Sequence, residues 1–434
     1  MKAARVGSVL LVAACGARTA LLPGGAGGAG GTGGDGGGGT SSGGSGSGGT
    51  PGLLDVHCPA SLQPGAPTPT LGFCSTRANQ SAALAPRAPS IAWTAQPFVI
   101  SNAEDYLPAQ IVVDAAGRSY VLVNASPTNA AGGPNRLTAL DPDGSVAWTT
   151  DLATQGSGLS IAKDGTLWAL AGELYAFDAG GGVAERLDVA PEQPDGGAPP
   201  GGFAFDALAI ASDGTFFLAG LQGGTVERLA PSGLLLWAGN GVGGGSFQDG
   251  VIAVEASDGI VVGGDGSELY GYASDGTRNW IGSELRNFGV DVDGNVVGLS
   301  ATLGDSGASV TTLDSQGNQV RAVPLPAQTY NATGLALAAD GTQVALLANE
   351  TASPGLTKSH LVVTAIDAAG AVRWSTPLDA TLNYDPADLT THYGIFVDAA
   401  GTVLVTAGSV TALDLASGTV EWTLAPANPR ECLR

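Results

Sequence analysis

Apolar and polar positions alternate in short runs broken by acidic-glycine turns, from about Ile91 to Leu424. The first half of a repeating unit is an apolar strand, a turn and a second apolar strand. It appears as Ile111-Val-Val-Asp114-Ala-Ala-Gly117 followed by Tyr120-Val-Leu-Val. It recurs around Asp164-Gly165, Asp213-Gly214, Asp258-Gly259, Asp293-Gly294, Asp340-Gly341 and Asp398-Ala-Ala-Gly401, making seven copies. Asp-Gly between alternating apolar runs signals a hairpin, because glycine takes the positive φ of the turn and the aspartate bonds nearby backbone.

The second half of the unit is clearest in Leu137-Thr-Ala-Leu-Asp141-Pro-Asp-Gly144-Ser-Val-Ala-Trp148, in Val363-Thr-Ala-Ile-Asp367 to Trp374, and in Val410-Thr-Ala-Leu-Asp414 through Gly418 to Trp422. Weaker copies run through Asp178 and Gly181, Gly233 to Trp237, Gly276 to Trp280, and Asp314 and Gly317, again making seven. These glycines recur every 37 to 53 residues, a spacing that fits one four-stranded propeller blade per repeat. The pattern therefore predicts an all-β fold, a seven-bladed β-propeller over residues 90–425. Ser90-Ile-Ala-Trp93-Thr-Ala matches the Trp strand ahead of the first full repeat and is expected to close the ring on the last blade, removing an open strand edge. An eighth blade would need three more strands after Leu424, where ten residues remain.

The motif "Ala-Leu-Asp, a few residues, Gly, a few residues, Trp" resembles the repeat of the quinoprotein-like propellers. That family includes the pyrroloquinoline-quinone alcohol dehydrogenases and the lipoprotein scaffold of the outer-membrane barrel-assembly machinery. The resemblance covers residues 91–425. It implies that Trp148, Trp237, Trp280, Trp374 and Trp422 are structural and pack between neighbouring blades. Carbohydrate stacking is the alternative role for them. The family's dehydrogenases use an adjacent cysteine pair and a calcium ion; this chain has no Cys-Cys, so no quinone and no other cofactor is expected.

Ahead of the repeats, Lys2 and Arg5 precede an apolar run from Val6 to Ala14 that ends in Val12-Ala13-Ala14-Cys15, an export signal. It resembles the lipobox of bacterial lipoproteins, which implies a signal peptide over residues 1–15 and acylation of Cys15. A plain signal peptide cut after an Ala-x-Ala-like site is the alternative. Gly16 in place of Asp favours outer-membrane delivery, by resemblance to a known sorting pattern. The expected location is the bacterial cell envelope, with the membrane a partner through the lipid.

Residues 16–50 form a Gly-rich stretch, nearly pure Gly, Ser, Thr and Ala from Gly24 to Thr50. Such a composition buries no core and predicts a disordered tether with a reach on the order of 30 Å. Residues 51–89, rich in Pro, Ala and Ser, read as an irregular collar, and 426–434 as a tail. Cys58, Cys74 and Cys432 allow three disulfide pairings, and the sequence does not choose among them. Zinc is disfavoured, since only His57 is near and no Cys-x-x-Cys occurs.

Charge narrows the partners. The chain has 17 basic and 39 acidic side chains, a formal charge of −22 that repels nucleic acid and anionic lipid. Asp291-Val-Asp293-Gly294-Asn295 opens like a calcium loop, but Val296 and Thr302 stand where that loop needs glycine and glutamate, so the turn reading prevails. His57, His360 and His392 lie far apart in the sequence, with no nucleophile motif matched to them. Glycine runs at 197–202 and 241–245 lack the Lys-Ser/Thr ending of a phosphate loop. Sequons at Asn124, Asn331 and Asn349 read as chance matches.

Aromatic and acidic residues recur just before the first strand of several blades: Asp105-Tyr106, Phe205-Asp206, Phe247 with Asp249, Tyr330, and Tyr384-Asp385. Such crossover loops cluster at one mouth of a propeller, so these nine residues are the candidate binding surface. Packing into the seam beneath each loop is the competing role. The function expected is a non-enzymatic binding or protein-interaction scaffold for envelope proteins or an extracellular ligand. The alternatives are a hydrolase or lyase on an extracellular polymer using loop carboxylates, and a quinone-dependent dehydrogenase.

Overall fold

The computed structural model describes residues 62–63, 66, 80–81, 106–125, 135–189, 205, 207–220, 225–240, 251–254, 259–263, 268–300, 308–325, 331–351, 357–378, 383–384, 394–407 and 409–424. A short strand, β1 (Gln80–Ser81), precedes seven consecutive four-stranded antiparallel blades. Blade 1 is β2 (Tyr106–Val113), β3 (Ser119–Ala125), β4 (Asn135–Leu140) and β5 (Val146–Leu152). Blade 2 is β6 (Gly158–Ile161), β7 (Leu167–Leu170), β8 (Leu174–Phe177) and β9 (Val183–Leu187). Blade 3 is β10 (Ala207–Ile210), β11 (Phe216–Gly220), β12 (Thr225–Leu229) and β13 (Leu235–Asn240). Blade 4 is β14 (Val251–Val254), β15 (Ile260–Gly263), β16 (Leu269–Tyr272) and β17 (Arg278–Gly282). Blade 5 is β18 (Arg286–Val290), β19 (Val296–Ser300), β20 (Ser309–Leu313) and β21 (Gln319–Pro324). Blade 6 is β22 (Asn331–Leu337), β23 (Gln343–Thr351), β24 (Thr357–Ile366) and β25 (Val372–Leu378), with β26 (Asn383–Tyr384) pairing with β24. Blade 7 is β27 (Gly394–Asp398), β28 (Thr402–Thr406), β29 (Val410–Asp414) and β30 (Val420–Leu424).

The first strands of successive blades lie against one another in the order β2, β6, β10, β14, β18, β22, β27, so they line the bore. The fourth strands are outermost and mostly exposed. The chain is a seven-bladed β-propeller. Its core lies in the seams: apolar clusters join blades 1 and 2, 2 and 3, 3 and 4, 4 and 5, 5 and 6, and 6 and 7.

The hairpins form for the reason the Asp-Gly pattern suggests. In the turn at 114–117, Gly117 N–H donates to the Asp114 carbonyl at 3.0 Å and Asp114 N–H to the Arg118 carbonyl at 3.0 Å, with Gly117 at φ 82°. That is a type I turn closed by a residue in the left-handed region, where a side chain is strained. Thirteen of the fourteen turn glycines have positive φ, and the turn before Gly259 lies outside the described residues.

The aspartates act in two ways. As the first turn residue, Asp114, Asp178, Asp314 and Asp398 accept two backbone N–H groups each, from residues two and four positions on. As the third, Asp143, Asp164, Asp213, Asp275 and Asp340 accept from two positions on. Asp291 belongs to the first kind: its Oδ1 takes the N–H of Asp293 and Asn295, and its Oδ2 the Asn295 amide. The calcium-like stretch is thus the same turn as Asp314-Ser-Gln-Gly317-Asn318, which lacks the middle aspartate.

These bonds favour the charged carboxylates. Backbone N–H groups of Thr277 and Asn318 hold Asp275 and Asp314 below the ordinary carboxylate range. Burial pushes Asp213 up, but its bonds from Thr215 and Arg228 outweigh that and leave it lowered. A lowered folded-state pKa gives stability that is complete above about pH 4 and disappears as pH falls through the folded value. The melting temperature should therefore stay level from pH 7 to about 5 and drop below about 4. Asp314→Asn should flatten that acid limb, and an equally steep limb in the variant would show that these turns are not its origin.

At the N-terminal side, β1 runs parallel to β27, Gln80 opposite Val397 and Ser81 opposite Asp398, at the bore end of the last blade. The closure strand expected at Ser90–Ala95 lies outside the described residues. All four strands of the last blade come from Gly394–Leu424, so the described N-terminal strand adds to the innermost strand of that blade, not to its outer edge. The collar also contributes buried groups. Leu62 is 5% exposed in the seam of blades 2 and 3, and Ala66 and Gln80 are buried.

Candidate functional site

The antiparallel order fixes two unlike faces. Every first-to-second and third-to-fourth strand turn lies on one face, and these fourteen connections span 3 to 5 residues. The second-to-third connections and the crossovers between blades lie on the other, and they span 3 to 19. Most of the variation in length falls on this loop face, where a propeller can change what it recognises without disturbing its seams.

On the turn face the polar groups serve the ring. Trp148 Nε1 donates to the Ala179 carbonyl at 3.1 Å, Trp237 Nε1 to the Ser274 carbonyl at 3.0 Å and Trp374 Nε1 to the Leu415 carbonyl at 2.8 Å, each in the next blade's turn. These three rings and Trp280 lie flat against turn glycines: Trp148 on Gly181, Trp237 on Gly276, Trp280 on Gly317 and Trp374 on Gly418. These four tryptophans pack between neighbouring blades. Trp422 occupies the corresponding place in blade 7, packed on Leu404, Val410 and Ala412, but its Nε1 is buried without an acceptor.

The spacing also exposes a member that hydrophobic pattern matching missed. Each clasping tryptophan lies four residues after its own turn glycine, and in blade 5 that place is Arg321. Arg321 donates to the Ala368 carbonyl of blade 6, the bond a tryptophan would make, and its stem packs on Gly370. Arg228 reinforces the seam of blades 3 and 4, bonding Thr215 at 2.9 Å, Asp213 at 2.8 Å and the Ser274 carbonyl, with its guanidinium 5.0 Å from the Phe217 ring centre. In blade 2, Glu185 holds the fourth-residue place and Leu187 covers Gly233 instead.

Of the nine anticipated surface residues, Tyr106 is the first residue of β2, paired with Ala125, and Tyr384 lies in β26, paired with Thr357. Both begin or precede a first strand, so the topology assigns them to the loop face. Phe205 is different: it is 3% exposed among Trp168, Leu218 and Phe216, and its carbonyl accepts the Ser157 hydroxyl. Its ring packs in the seam of blades 2 and 3, the competing role, because an apolar residue just ahead of a buried strand continues that strand's core. Asp105, Asp206, Phe247, Asp249, Tyr330 and Asp385 lie outside the described residues, as do Cys15, Cys58, Cys74, Cys432, His57 and His392. His360 lies in β24 opposite Asn349.

The loop face is uneven. Between blades 1 and 2 it is stitched down: the Asn124 amide donates to the Gly156 carbonyl at 2.6 Å and accepts the Gly156 N–H at 2.8 Å, while Gln110 Oε1 accepts the Leu159 N–H at 2.6 Å. The Asn124 sequon is thereby engaged in the fold on both sides of its amide. Blade 6 is built up instead, since β23 and β24 pair as far as Thr351 and Lys358 and β26 adds a third strand there.

Carboxylates on both faces are held charged, while buried tyrosines are held neutral. Its bond to Arg186 lowers Glu173, beside the second-to-third turn of blade 2. Burial pushes Tyr120 up to about 12 and raises Tyr175 and Tyr272. Glu173, Asp213, Asp275 and Asp314 are thus all held below the ordinary carboxylate range by their hydrogen bonds.

No protein-family model matches the chain, and no curated protein matches it. Among solved structures it is similar to virginiamycin B lyase from Staphylococcus aureus at 11% identity, TM-score 0.47, covering 69% of this chain and 91% of that one. The Dos1 propeller gives 12% identity and TM-score 0.46 over 73% of this chain and 84% of its own. The Pan2 WD40 domain of Neurospora crassa gives 14% and 0.40 over 64% and 81%.

Proposed function

We propose that this chain is a bacterial envelope lipoprotein of the quinoprotein-like repeat type, anchored through Cys15, whose propeller binds a protein or extracellular ligand on its loop face and performs no chemistry. The observation that carries the reading is the division between faces. The turn-face aspartates, tryptophans and arginines are engaged in hairpins and seams, and variation is left to the loops. The acidic net charge points to a partner whose contact surface is neutral or basic.

The test is capture from crosslinked native cells with the wild-type protein, Cys15→Ala, and a triple variant with alanine at Tyr106, Tyr384 and Asp385. Capture of envelope proteins by the anchored form, reduced at least tenfold in the triple variant, is the expected result. Undiminished capture by the triple variant would remove these loop residues from the binding surface. Equal capture by Cys15→Ala would remove the role of the anchor.

A further inference from the structure

The first strand of each blade pairs with the second on one side and turns its other edge to the bore. The collar takes two of these inner edges. On β6 of blade 2, Leu62 bridges antiparallel to Ala162 and Gln63 N–H donates to the Ile161 carbonyl at 3.2 Å. Gln63 also spans two turns: its Oε1 accepts the Ala115 N–H of blade 1 at 2.8 Å, and a Cβ at Gly165 of blade 2 would sit 3.0 Å from its Nε2. The chain then turns, with the Ala66 N–H on the Gln63 carbonyl at 3.3 Å and Ala66 buried. On β27 of blade 7, Gln80 and Ser81 lie opposite Val397 and Asp398.

Strand direction tells from which side the collar comes. β6 and β27 both run from the loop face to the turn face, so Ile161, Ala162 and Asp398 mark the turn-face end of the bore. Antiparallel pairing with β6 means that the chain runs inward at Leu62–Gln63, entering at the turn face. The Gly-rich stretch precedes Leu62 in the sequence. We propose that the tether is rooted at the turn-face mouth of the bore, so that the anchored ring holds its turn face toward the bilayer and offers its loop face to a hydrophilic partner standing off the membrane. The membrane meant is the one an acyl group on Cys15 enters, so this deepens the reading of the chain as an anchored binder and rests on it.

Charge agrees with a ring held clear of the lipid. Every blade sets at least one aspartate in its turns, from Asp114 in blade 1 to Asp414 in blade 7, and arginines such as Arg118 and Arg228 pair with only some of them. Anionic headgroups repel a face of that sign, so the ring stands off on its tether instead of lying on the bilayer. Strands of four or more residues, rising about 3.3 Å each, separate the two faces, which puts the loop face roughly 15 Å or more beyond the turn face. A partner reaching the loop face therefore meets it in water and not at the headgroups.

Energy transfer to an acceptor on the headgroups of phosphatidylcholine vesicles tests this. The donor dye is carried by a clickable non-natural residue at Ala416, exposed in a turn of blade 7, or at Ala153, exposed in the crossover from blade 1 to blade 2, leaving the native cysteines untouched. Two forms are compared: the acylated full chain, and the chain from residue 16 held on nickel-chelating lipid by an N-terminal hexahistidine. Transfer from Ala416 should exceed that from Ala153 by about twofold or more in both forms. Adding phosphatidylglycerol should lower transfer from Ala416 at low salt, and salt should restore it. Equal transfer from the two positions, or more from Ala153, overturns the proposal, as does transfer from Ala416 that ignores the lipid charge. Asymmetry in the tagged form with no vesicle binding by the full chain would remove the anchor at Cys15 and keep the root at the turn face.

Discussion

Gly317→Ala should destabilise the propeller by about 3–5 kcal/mol, while Gly294→Ala in the same blade should cost only about 1 kcal/mol. The two glycines have nearly the same backbone, φ 77° and 81°. Alanine at either carries the same cost of holding a side chain in the left-handed region. They differ in what the new methyl meets. At Gly294 nothing lies within 4 Å; at Gly317 a Cβ would sit 2.5 Å from Cε3 of Trp280. Trp280 is held in a slot between Gly317 and Gly271 and is 8% exposed in the seam of blades 4 and 5. It has no room to retreat without opening that seam, so Gly317→Ala acts much like truncation of the tryptophan. Denaturant unfolding of the two variants checks this directly. A difference under about 1 kcal/mol would mean that the glycines are needed for turn conformation alone and that the ring–glycine contact contributes little.

That contrast shows why the fold was legible in the sequence. The same two residues, an aspartate and a glycine, recur wherever the chain reverses, and the tryptophan four residues beyond a turn glycine recurs where blades meet. Each is a local requirement that leaves a local mark. Arg321 satisfies the same seam with a different side chain: its guanidinium supplies the donor and its stem the packing, so a search for apolar residues passes over it while a search for spacing finds it. Phe205 illustrates the opposite limit. Its place before a first strand is visible in the sequence, but whether its ring turns outward or down into the seam depends on Trp168 and Phe216 of neighbouring blades. The collar left no periodic mark either. Leu62 and Gln80 are buried by contacts with residues roughly a hundred and three hundred positions away, and a Pro-, Ala- and Ser-rich composition is silent about such contacts.

A chain begun at residue 90 should melt on the order of 10 °C below the full protein, while one begun at residue 51 should melt with it. The six seams from blade 1 to blade 7 are continuous along the chain, each joining a blade to the next in sequence. The seam between blade 7 and blade 1 joins the two ends, and the last blade takes none of its four main strands from the N-terminus. Its tryptophan, Trp422, lacks the carbonyl acceptor that Trp148, Trp237 and Trp374 have. What spans this junction among the described residues is the collar. Gln63 N–H donates to the Ile161 carbonyl at 3.2 Å, its Oε1 accepts the Ala115 N–H at 2.8 Å, and Leu62 bridges to Ala162, which fixes the collar to blades 1 and 2. Seventeen residues on from Gln63, Gln80 and Ser81 pair with β27 of blade 7. The collar is therefore a strap across the one seam where sequence neighbours do not hold the ring together. Burying Leu62 is worth about 1.5–3 kcal/mol and the backbone bonds about 1 kcal/mol each, so losing the strap removes roughly 5 kcal/mol. Proteolysis of the shortened chain should begin in blade 7 or blade 1, where the ring can open. Equal melting of the two truncations would show that side-chain packing between the end blades suffices, and would leave the collar as a spacer.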